Sequence, residues 1–483
     1  MDLERLSAAL EPREIIRRSP VELRDLAYDV RRVEQGSLFF CVPGMHADGH
    51  DFAVEAVQRG AVALVVERPL ELEVPQLVVA SSRVAMAKAA DAFFGEPTRE
   101  LQLAGVTGTN GKTTTCFLVY EILAAAGRRP GLVGTVESRV GGKPRKMART
   151  TPEAIDLQRL FREMLDAGDR SCVIEASSHA IELHRLDRAH FSALAFTNLS
   201  QDHLDFHETM EKYFAAKRRL FLEGDETPAA INIDDAYGRR LATDLRAIGH
   251  EHVLTFGRAP DADLSPEEIE LGAEGTRISL GELELRSPLR GAFNAENLLT
   301  ATALARLLGV EDAQIAAGVA ALKGVPGRFE AVEHDQPFAV VVDYAHTPDA
   351  LAGLLTAARE LTRGKLICVF GCGGDRDREK RPLMGEIAAE LSDVAIVTSD
   401  NPRSEEPQAI IDEILVGVED KKVEVELDRR AAIEQALAQA REGDVVVIAG
   451  KGHEQGQEIG GRVLPFDDRV VAAELLVELG AGR

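Results

Sequence analysis

The stretch GVTGTNGKTTT, from Gly105 to Thr115, carries the residue types that hold phosphate. It follows a strand-like run and opens a helical one, so backbone N–H groups of the turn and of the helix start can face phosphate oxygens. Lys112 can then reach the β and γ positions, and a neighbouring hydroxyl can hold Mg2+. Strict phosphate-loop spacing asks for Gly where this chain has Val106, so the loop is a variant of the pattern. A Gly/Thr turn that binds nothing is the plain alternative.

Two more polar strand ends extend this chemistry. SCVIEASSH places Glu175 at the end of an apolar run, where a carboxylate is costly unless it is paired or metal-bound, and this makes it a candidate Mg2+ ligand. TNLSQDHLDFH, from Thr197, gathers Asp202, His203, Asp205 and His207; by residue type alone it is equally an N-cap cluster with a solvated histidine. Lys217, in KYFAAKRRLF, reads by itself as part of a solvated basic helix face. DNPR, from Asp400 to Arg403, is a turn signal whose arginine could simply be solvated.

The elements that position these groups follow from patterning. Short β-rich runs (SLFFCV, VALVVE, QLVVAS) alternate with helical ones up to residue 98, which predicts a small α/β domain, and GEPTRE from Gly95 reads as a linker. Strands alternating with helices over 99–325 predict a central doubly wound, mostly parallel sheet around the phosphate loop, with a hairpin at ISLGELELRS. A third, Rossmann-like α/β pattern fills 326–483, with strands FAVVVDYA, KLICVFG, VAIVTS and DVVVIAG. Ligands of such sheets bind at the carboxyl ends of the strands, which is where the polar turns lie.

Composition bounds the partners. Among 483 residues, 80 are acidic and 56 basic, a net charge of −24, and this argues against general nucleic-acid binding. Apolar residues at 45 % and charged ones at 28 % fit globular domains. The five cysteines are odd in number and sparse, which points to a reducing compartment rather than a disulfide framework; Cys368 and Cys372 lack the second pair a structural zinc site needs. MDLERLSAALEPRE lacks the apolar stretch of a secretory signal, and no run approaches the ~20 apolar residues that span a bilayer, so a cytoplasmic chain without membrane insertion is expected.

TGTNGKTTT, IEASSH, NLSQDHLDFH, YFAAKRRLF, FNAENLLTA, GVPGRFE, VVDYAHTPDAL, GCGGDRDREKRP, DNPR and AGKGHE occur in the order and approximate spacing of the Mur ligases, over nearly the whole chain. The sequence resembles that family, in its diaminopimelate-adding branch. The resemblance implies an ATP-dependent ligase that activates a carboxylate as an acyl phosphate and lets an amine displace the phosphate. It assigns ATP to Gly108, Thr109, Asn110, Gly111, Lys112, Thr113 and Thr114, with Asn294, Asn297, Arg328, Asp343 and His346, although Asn294 is equally an N-cap. It assigns Mg2+ to Thr113, Glu175, His203 and Lys217, the last as a carbamate, and gives Lys112, His203 and Lys217 the catalytic roles.

The substrates implied are UDP-N-acetylmuramoyl-L-alanyl-D-glutamate and meso-2,6-diaminopimelate, used by a monomer. Thr150, Thr151, Ser177 and Arg185 match contacts to the nucleotide-sugar peptide; Val30, His46 and Ala47 lie on the uridine side. Val30 stands where relatives have serine, and Leu183 where they often have glutamine. Arg376, Asp400, Asn401, Pro402, Arg403, Gly450 and Glu454 match contacts to the amino acid. A guanidinium can clamp the far carboxylate that distinguishes diaminopimelate from lysine. An L-lysine-adding ligase, a folylpolyglutamate synthase relative and a non-catalytic nucleotide-binding relative are the alternatives.

Overall fold

Apolar runs bounded by Gly, Pro and Asp become strands throughout. The structure is a computed structural model that describes every residue except 45–46, 224–225, 273, 419–422 and 482–483. Its described strands form sheets of five, eight, three, six and two strands, an α/β chain as the alternating pattern predicts. The residues divide into two compact units: Met1–Gly105 with Arg128–Leu194 and Arg219–Thr227, and Val106–Gly127 with Ala195–Arg218 and Pro228–Arg483.

In the first unit the five-stranded sheet runs Glu14–Ile16, Gln76–Val78, Ala61–Val66, Ser37–Phe40, Asp25–Ala27. Only the edge strand Glu14–Ile16 is antiparallel. Leu38, Phe40, Val65 and Leu77 pack on one face with Met86 and Ala89 of the helix Ser82–Phe93 and with Ile155 of the helix Ala154–Asp166. The latter helix is fastened to the first sheet by polar bonds: Tyr28 Oη donates to Asp156 Oδ2 at 2.6 Å, Arg32 pairs with the same carboxylate, and Arg159 Nη2 pairs with Asp25 Oδ1 at 2.8 Å. Buried strands Ser171–Glu175 and Pro130–Val133 pair in parallel, and two antiparallel edge strands from Ser138 to Arg145 extend them. GEPTRE differs from the expected linker. It forms a 3-10 turn at Pro97–Arg99 with Pro97 and Thr98 buried, and Arg162 holds the preceding carbonyls of Phe94 and Gly95, each at 2.9 Å.

In the second unit the helix Lys112–Ala125 is buried on nearly every side, packed against helices Ala292–Leu307 and Asp312–Ala321. Its apolar composition all round fits that placement. The expected hairpin is present as Gly275–Leu280 and Leu283–Ser287, extended by Glu268–Gly272 into a three-stranded antiparallel sheet. The six-stranded sheet runs Glu330–Ala331, Ala339–Asp343, Val445–Ala449, Leu366–Phe370, Val394–Val397, Glu424–Val425 and is parallel except at its first strand. The helix Ala292–Leu307 starts before Asn294, its N-cap candidate by sequence. Gly291 is the N-cap, so Asn294 lies inside the first turn, its Nδ2 donating to Arg290 O at 2.7 Å.

One buried pair sets two polar turns of the six-stranded sheet. Arg429 and Asp468 are both fully buried and meet through two bonds of 2.8 and 2.7 Å. The same guanidinium donates to Ala449 O, at the end of Val445–Ala449, and to Ser399 O, just before DNPR. An arginine can do this because its fork offers five donors in fixed directions.

Glu296, partly buried on the helix Ala292–Leu307, has its carboxyl raised to about 7 by burial first, with Asp234, Asp349 and Asp235 adding and Arg258 opposing. Between the ordinary 4.5 and 7 the folded chain keeps a proton that the unfolded chain releases. Stability therefore falls as pH rises through that window, by up to roughly 3 kcal/mol from this group. Urea titrations at pH 5 and pH 7.5 are expected to show a smaller difference in Glu296→Gln than in the parent; equal differences would refute the assignment.

Candidate functional site

The phosphate loop is laced to the chain that follows residue 196. Thr109 N donates to Asn198 O and Asn110 N to Asn198 Oδ1, both at 2.9 Å, while Thr197 Oγ1 donates to Asn110 O at 2.7 Å. Gly108 has φ +148° and Gly111, the N-cap of the helix Lys112–Ala125, has φ +85°. A Cβ at Gly108 would collide with the Thr197 hydroxyl, and one at Gly111 with the Asn297 amide oxygen. Both glycines are thus required by backbone shape and by space. Asn297 Nδ2 donates to Asn294 Oδ1 at 3.0 Å, so these two expected ATP residues form one amide pair beside the loop.

Two lysines converge on one carbonyl. Lys112 Nζ donates to Gly108 O at 3.0 Å and to Thr109 O at 2.7 Å, and Lys217 Nζ donates to Gly108 O at 2.7 Å. Lys217 is 1 % exposed, which removes it from the solvated basic face that its neighbours Lys212 and Arg218 occupy. Burial, and then the charge of Lys112, push its ammonium well below the ordinary lysine value, against an opposing pull from Asp202. The Tyr213 ring lies 4.7 Å beneath it. A buried amine held towards neutrality is a nucleophile.

Asp202 is the charge centre of the same region. It is 5 % exposed. Its Oδ2 lies 3.3 Å from His203 Nε2 and 3.7 Å from His346 Nε2, and its Oδ1 lies 3.5 Å from Lys380 Nζ. Burial alone would raise this carboxyl, but His203, His346 and Lys380 outweigh it and hold Asp202 well below the carboxylate range. His203 is the N-cap of the short helix Leu204–His207, with φ +56° and no side-chain cap bond; its own N–H is bound by Asp202 Oδ1 at 2.9 Å. His346 Nδ1 donates to Tyr344 O at 2.8 Å, which directs Nε2 at Asp202. Asp343 accepts from the backbone N–H groups of Phe329 and Ala345 and is raised by burial, with Arg328 opposing. Arg328 Nη2 in turn donates to Thr113 Oγ1 at 3.0 Å.

The residues expected to hold the nucleotide-sugar peptide come together in the first unit. Thr151 Oγ1 donates to Glu175 O at 2.6 Å and lies 3.2 Å from Ser177 Oγ; Arg185 Nη1 donates to Thr151 O at 3.0 Å. Thr150 Oγ1 lies 3.0 Å from Thr135 Oγ1, and Thr135 donates through both N and Oγ1 to the Glu175 carboxylate. Glu153 gathers Arg185 at 2.8 Å, Arg149, and Arg83 at 3.6 Å. Val30 starts a 3-10 turn capped by Asp29, Ala47 is exposed, Leu183 ends the helix Ser178–Glu182, and His46 lies outside the described residues. A cleft of about 390 Å3 opens beside Val30's turn between Tyr28, Arg31, Arg32, Asp156 and Arg159.

At the end of the strand Val394–Val397, Asp400, Asn401 and Pro402 are buried and Arg403 is partly exposed with φ +55°. Arg403 Nη1 donates to Gly374 O at 2.6 Å, and Nε lies 3.5 Å from Glu458. Asn401 Nδ2 donates to Glu454 Oε2 at 2.8 Å, and a Cβ at Gly450 would press on Asp400 Oδ2. Arg376 is exposed and its Nη1 donates to Asp375 O.

Three family profiles match: the Mur ligase family catalytic domain over residues 23–102, the Mur ligase middle domain over 106–305, and the Mur ligase glutamate ligase domain over 327–452. The chain belongs to the Mur ligase family. Similar proteins include the UDP-N-acetylmuramoyl-L-alanyl-D-glutamate--2,6-diaminopimelate ligases of Solibacter usitatus, 47 % identical over 95 % of this chain and 94 % of that one, and of Aquifex aeolicus, 46 % identical over 94 % of each. A solved structure of a ligase of that name has a TM-score of 0.66 at 33 % identity, covering 95 % of both chains. MurF from Acinetobacter baumannii shares the fold, with a TM-score of 0.68 at 19 % identity, over 99 % of this chain and 98 % of that one.

For this Mur ligase, sequence reasoning missed three groups. Asp202 was visible in the polar strand end but had no role, and Lys380 and Thr135 carried no local signal; each matters through a distant partner. In the second unit the Thr113 hydroxyl, and in the first unit the buried Glu175 carboxylate, are oxygen donors of the kind Mg2+ takes. Among the described residues, Asp91, Glu96 and His190 bring their ligand atoms within 4.8 Å of one another, but there Arg188 and Arg99 already face the two carboxylates. Asp202→Asn leaves two imidazoles and an ammonium without their carboxylate. Urea denaturation is expected to show a loss of about 3 kcal/mol; a change below about 1 kcal/mol, the scale of an exposed pair, would contradict the hub.

Proposed function

We propose that this Mur ligase joins meso-2,6-diaminopimelate to UDP-N-acetylmuramoyl-L-alanyl-D-glutamate, converting ATP to ADP and phosphate, in the synthesis of a peptidoglycan precursor. The observation that carries the reading is that relatives 44–48 % identical over nearly the full chain bear that name. In this reading residues 1–98 take the uridine side, 99–325 the ATP and 326–483 the amino acid. A single cytoplasmic chain does the work.

A carboxylate resists attack by an amine, so it must first acquire a leaving group. Its oxygen bonds to the γ-phosphorus of ATP as the bond to ADP breaks. The neutral amine then bonds to the acyl carbon, the C–O bond to phosphate breaks, and a proton leaves the nitrogen for solvent. The first step drives two anions together, and cations must offset their repulsion. Lys112 and the loop N–H groups of residues 108–114 serve the triphosphate, with Arg328 beside Thr113 and the Asn294–Asn297 pair flanking the loop. Thr113, Glu175, His203 and carbamylated Lys217 would hold Mg2+, which supplies charge neutralisation for phosphoryl transfer.

The carbamate forms when the neutral Lys217 amine bonds to the carbon of CO2, one C=O electron pair moves onto oxygen, and a proton leaves to solvent. The depressed lysine supports this reading, because an ammonium has no lone pair to offer. Thr150, Thr151, Ser177 and Arg185 position the UDP-linked peptide. Asp400 to Arg403, Gly450, Glu454 and Arg376 receive the amino acid, with Arg403 supplying the guanidinium for the far carboxylate.

ADP release is expected to require both the UDP-muramoyl dipeptide and meso-diaminopimelate. L-Lysine is expected to support at least 10³-fold lower kcat/KM, because it leaves the arginine without its anion. Comparable turnover with L-lysine would reject the specificity. Arg403→Ala should shrink the gap between the two amino acids mainly through the KM of diaminopimelate. Removing dissolved CO2 should lower kcat, bicarbonate should restore it, and a carbamate carbon should appear in the NMR spectrum after incubation with 13C-bicarbonate; Lys217→Ala should lose that resonance.

A further inference from the structure

Lys451 stands in the AGKGHE segment with its side chain fully buried. Its Nζ donates to Asn401 Oδ1 at 2.9 Å, Glu454 Oε2 at 3.2 Å and Gly456 O at 2.7 Å. All three donors of the ammonium are therefore used, two on its own loop and one on the 400–403 turn. We infer that Lys451 is a positioning residue for the amino-acid substrate: it fixes Asn401 and Glu454 so that one free carboxylate oxygen is presented to a substrate ammonium.

The bonding leaves little choice. An ammonium only donates, so the atom of Asn401 that faces Lys451 must be the oxygen; backbone N–H of Glu458 donates to that same oxygen at 3.0 Å. The amide nitrogen is thereby turned to Glu454, where it donates to Oε2 at 2.8 Å. Both inward bonds to the Glu454 carboxylate fall on Oε2, and among the described residues Oε1 makes none. The Glu454 side chain keeps 30 % of its exposure while that of Lys451 keeps none. The lysine thus supplies the buried counter-charge, and the glutamate turns its second oxygen outward. Gln457 Nε2, donating to Asp400 O at 2.9 Å, ties the same loop to the turn that carries Arg403.

This inference rests on the reading that Glu454 and the 400–403 turn receive the amino acid. The same site would then hold the two ends of one zwitterionic group: a guanidinium for its carboxylate and a carboxylate for its ammonium. Lys451 touches neither end and acts through Asn401 and Glu454.

The test is steady-state ADP release by the full-length chain with each substrate varied in turn. Lys451→Met, which keeps the length of the stem but not the charge, is expected to raise the KM for meso-diaminopimelate at least 10-fold. The KM values for ATP and the UDP-muramoyl dipeptide should stay within twofold. In a Glu454→Gln background the same substitution should change the amino-acid KM by less than threefold, because the group it orients is gone. Lys451→Gln, which still donates to two acceptors, should fall between parent and Lys451→Met and gives the answer if the methionine variant does not fold. An equal rise in all three KM values, an unchanged amino-acid KM, or full additivity with Glu454→Gln would overturn the role. A parent chain that releases no ADP in response to diaminopimelate would instead overturn the proposed substrate.

Discussion

Two ammonium groups aimed at one carbonyl oxygen constrain everything around the phosphate loop. Lys112 and Lys217 both donate to Gly108 O, and like charges at such range repel strongly where water is scarce. The conflict is relieved by asymmetry. Lys112, at the head of its helix, is only partly buried, whereas Lys217 is sealed in and driven towards the neutral amine. Gly108 must be glycine for the carbonyl to stand where both lysines reach it, and Thr197 fills the space that a side chain would need. Asp202, its charge held by two imidazoles and Lys380, supplies the negative potential that keeps this region from being uniformly cationic.

The turns at the strand ends of the six-stranded sheet meet the opposite problem with the same means. They must present charged groups to solvent while their backbones stay fixed. Arg429, paired with Asp468, grips the last carbonyls before both turns, and Lys451 binds the side chains that emerge from them. Cutting one partner from a buried pair strands the other, so such anchors are strongly coupled to the fold. The overall charge of −24 makes local cations the more necessary, since phosphates and carboxylates must approach an acidic surface.

The strands, the loop glycines and the variant phosphate loop were legible because each is fixed by neighbours in sequence: apolar alternation, a Gly before a helix, a Lys after it. Lys217 was ambiguous for the converse reason. Its flanking Lys212 and Arg218 are indeed surface ion-pair partners, and only packing on Tyr213 and the Gly108 carbonyl separates it from them. Asp202 and Lys380 could not be connected from local patterns, nor could Thr135 with Glu175, because their meaning lies in pairings between distant segments. GEPTRE misled because Gly, Pro and charge describe a tight buried turn as well as a linker; the carbonyl bonds from Arg162 decide between them.

The Asp202 cluster also has a temporal side. Gln201 meets Asp377 across 176 residues of chain, and the neighbouring Asp202 meets Lys380. A ribosome making roughly 5–20 residues per second takes on the order of 10–35 s to cover that interval. During that time the nascent loop and its two lysines exist without the charges that complete their surroundings. A half-made chain therefore lacks the finished charge cluster beside the phosphate loop, which is complete only once the last third of the polypeptide has been made.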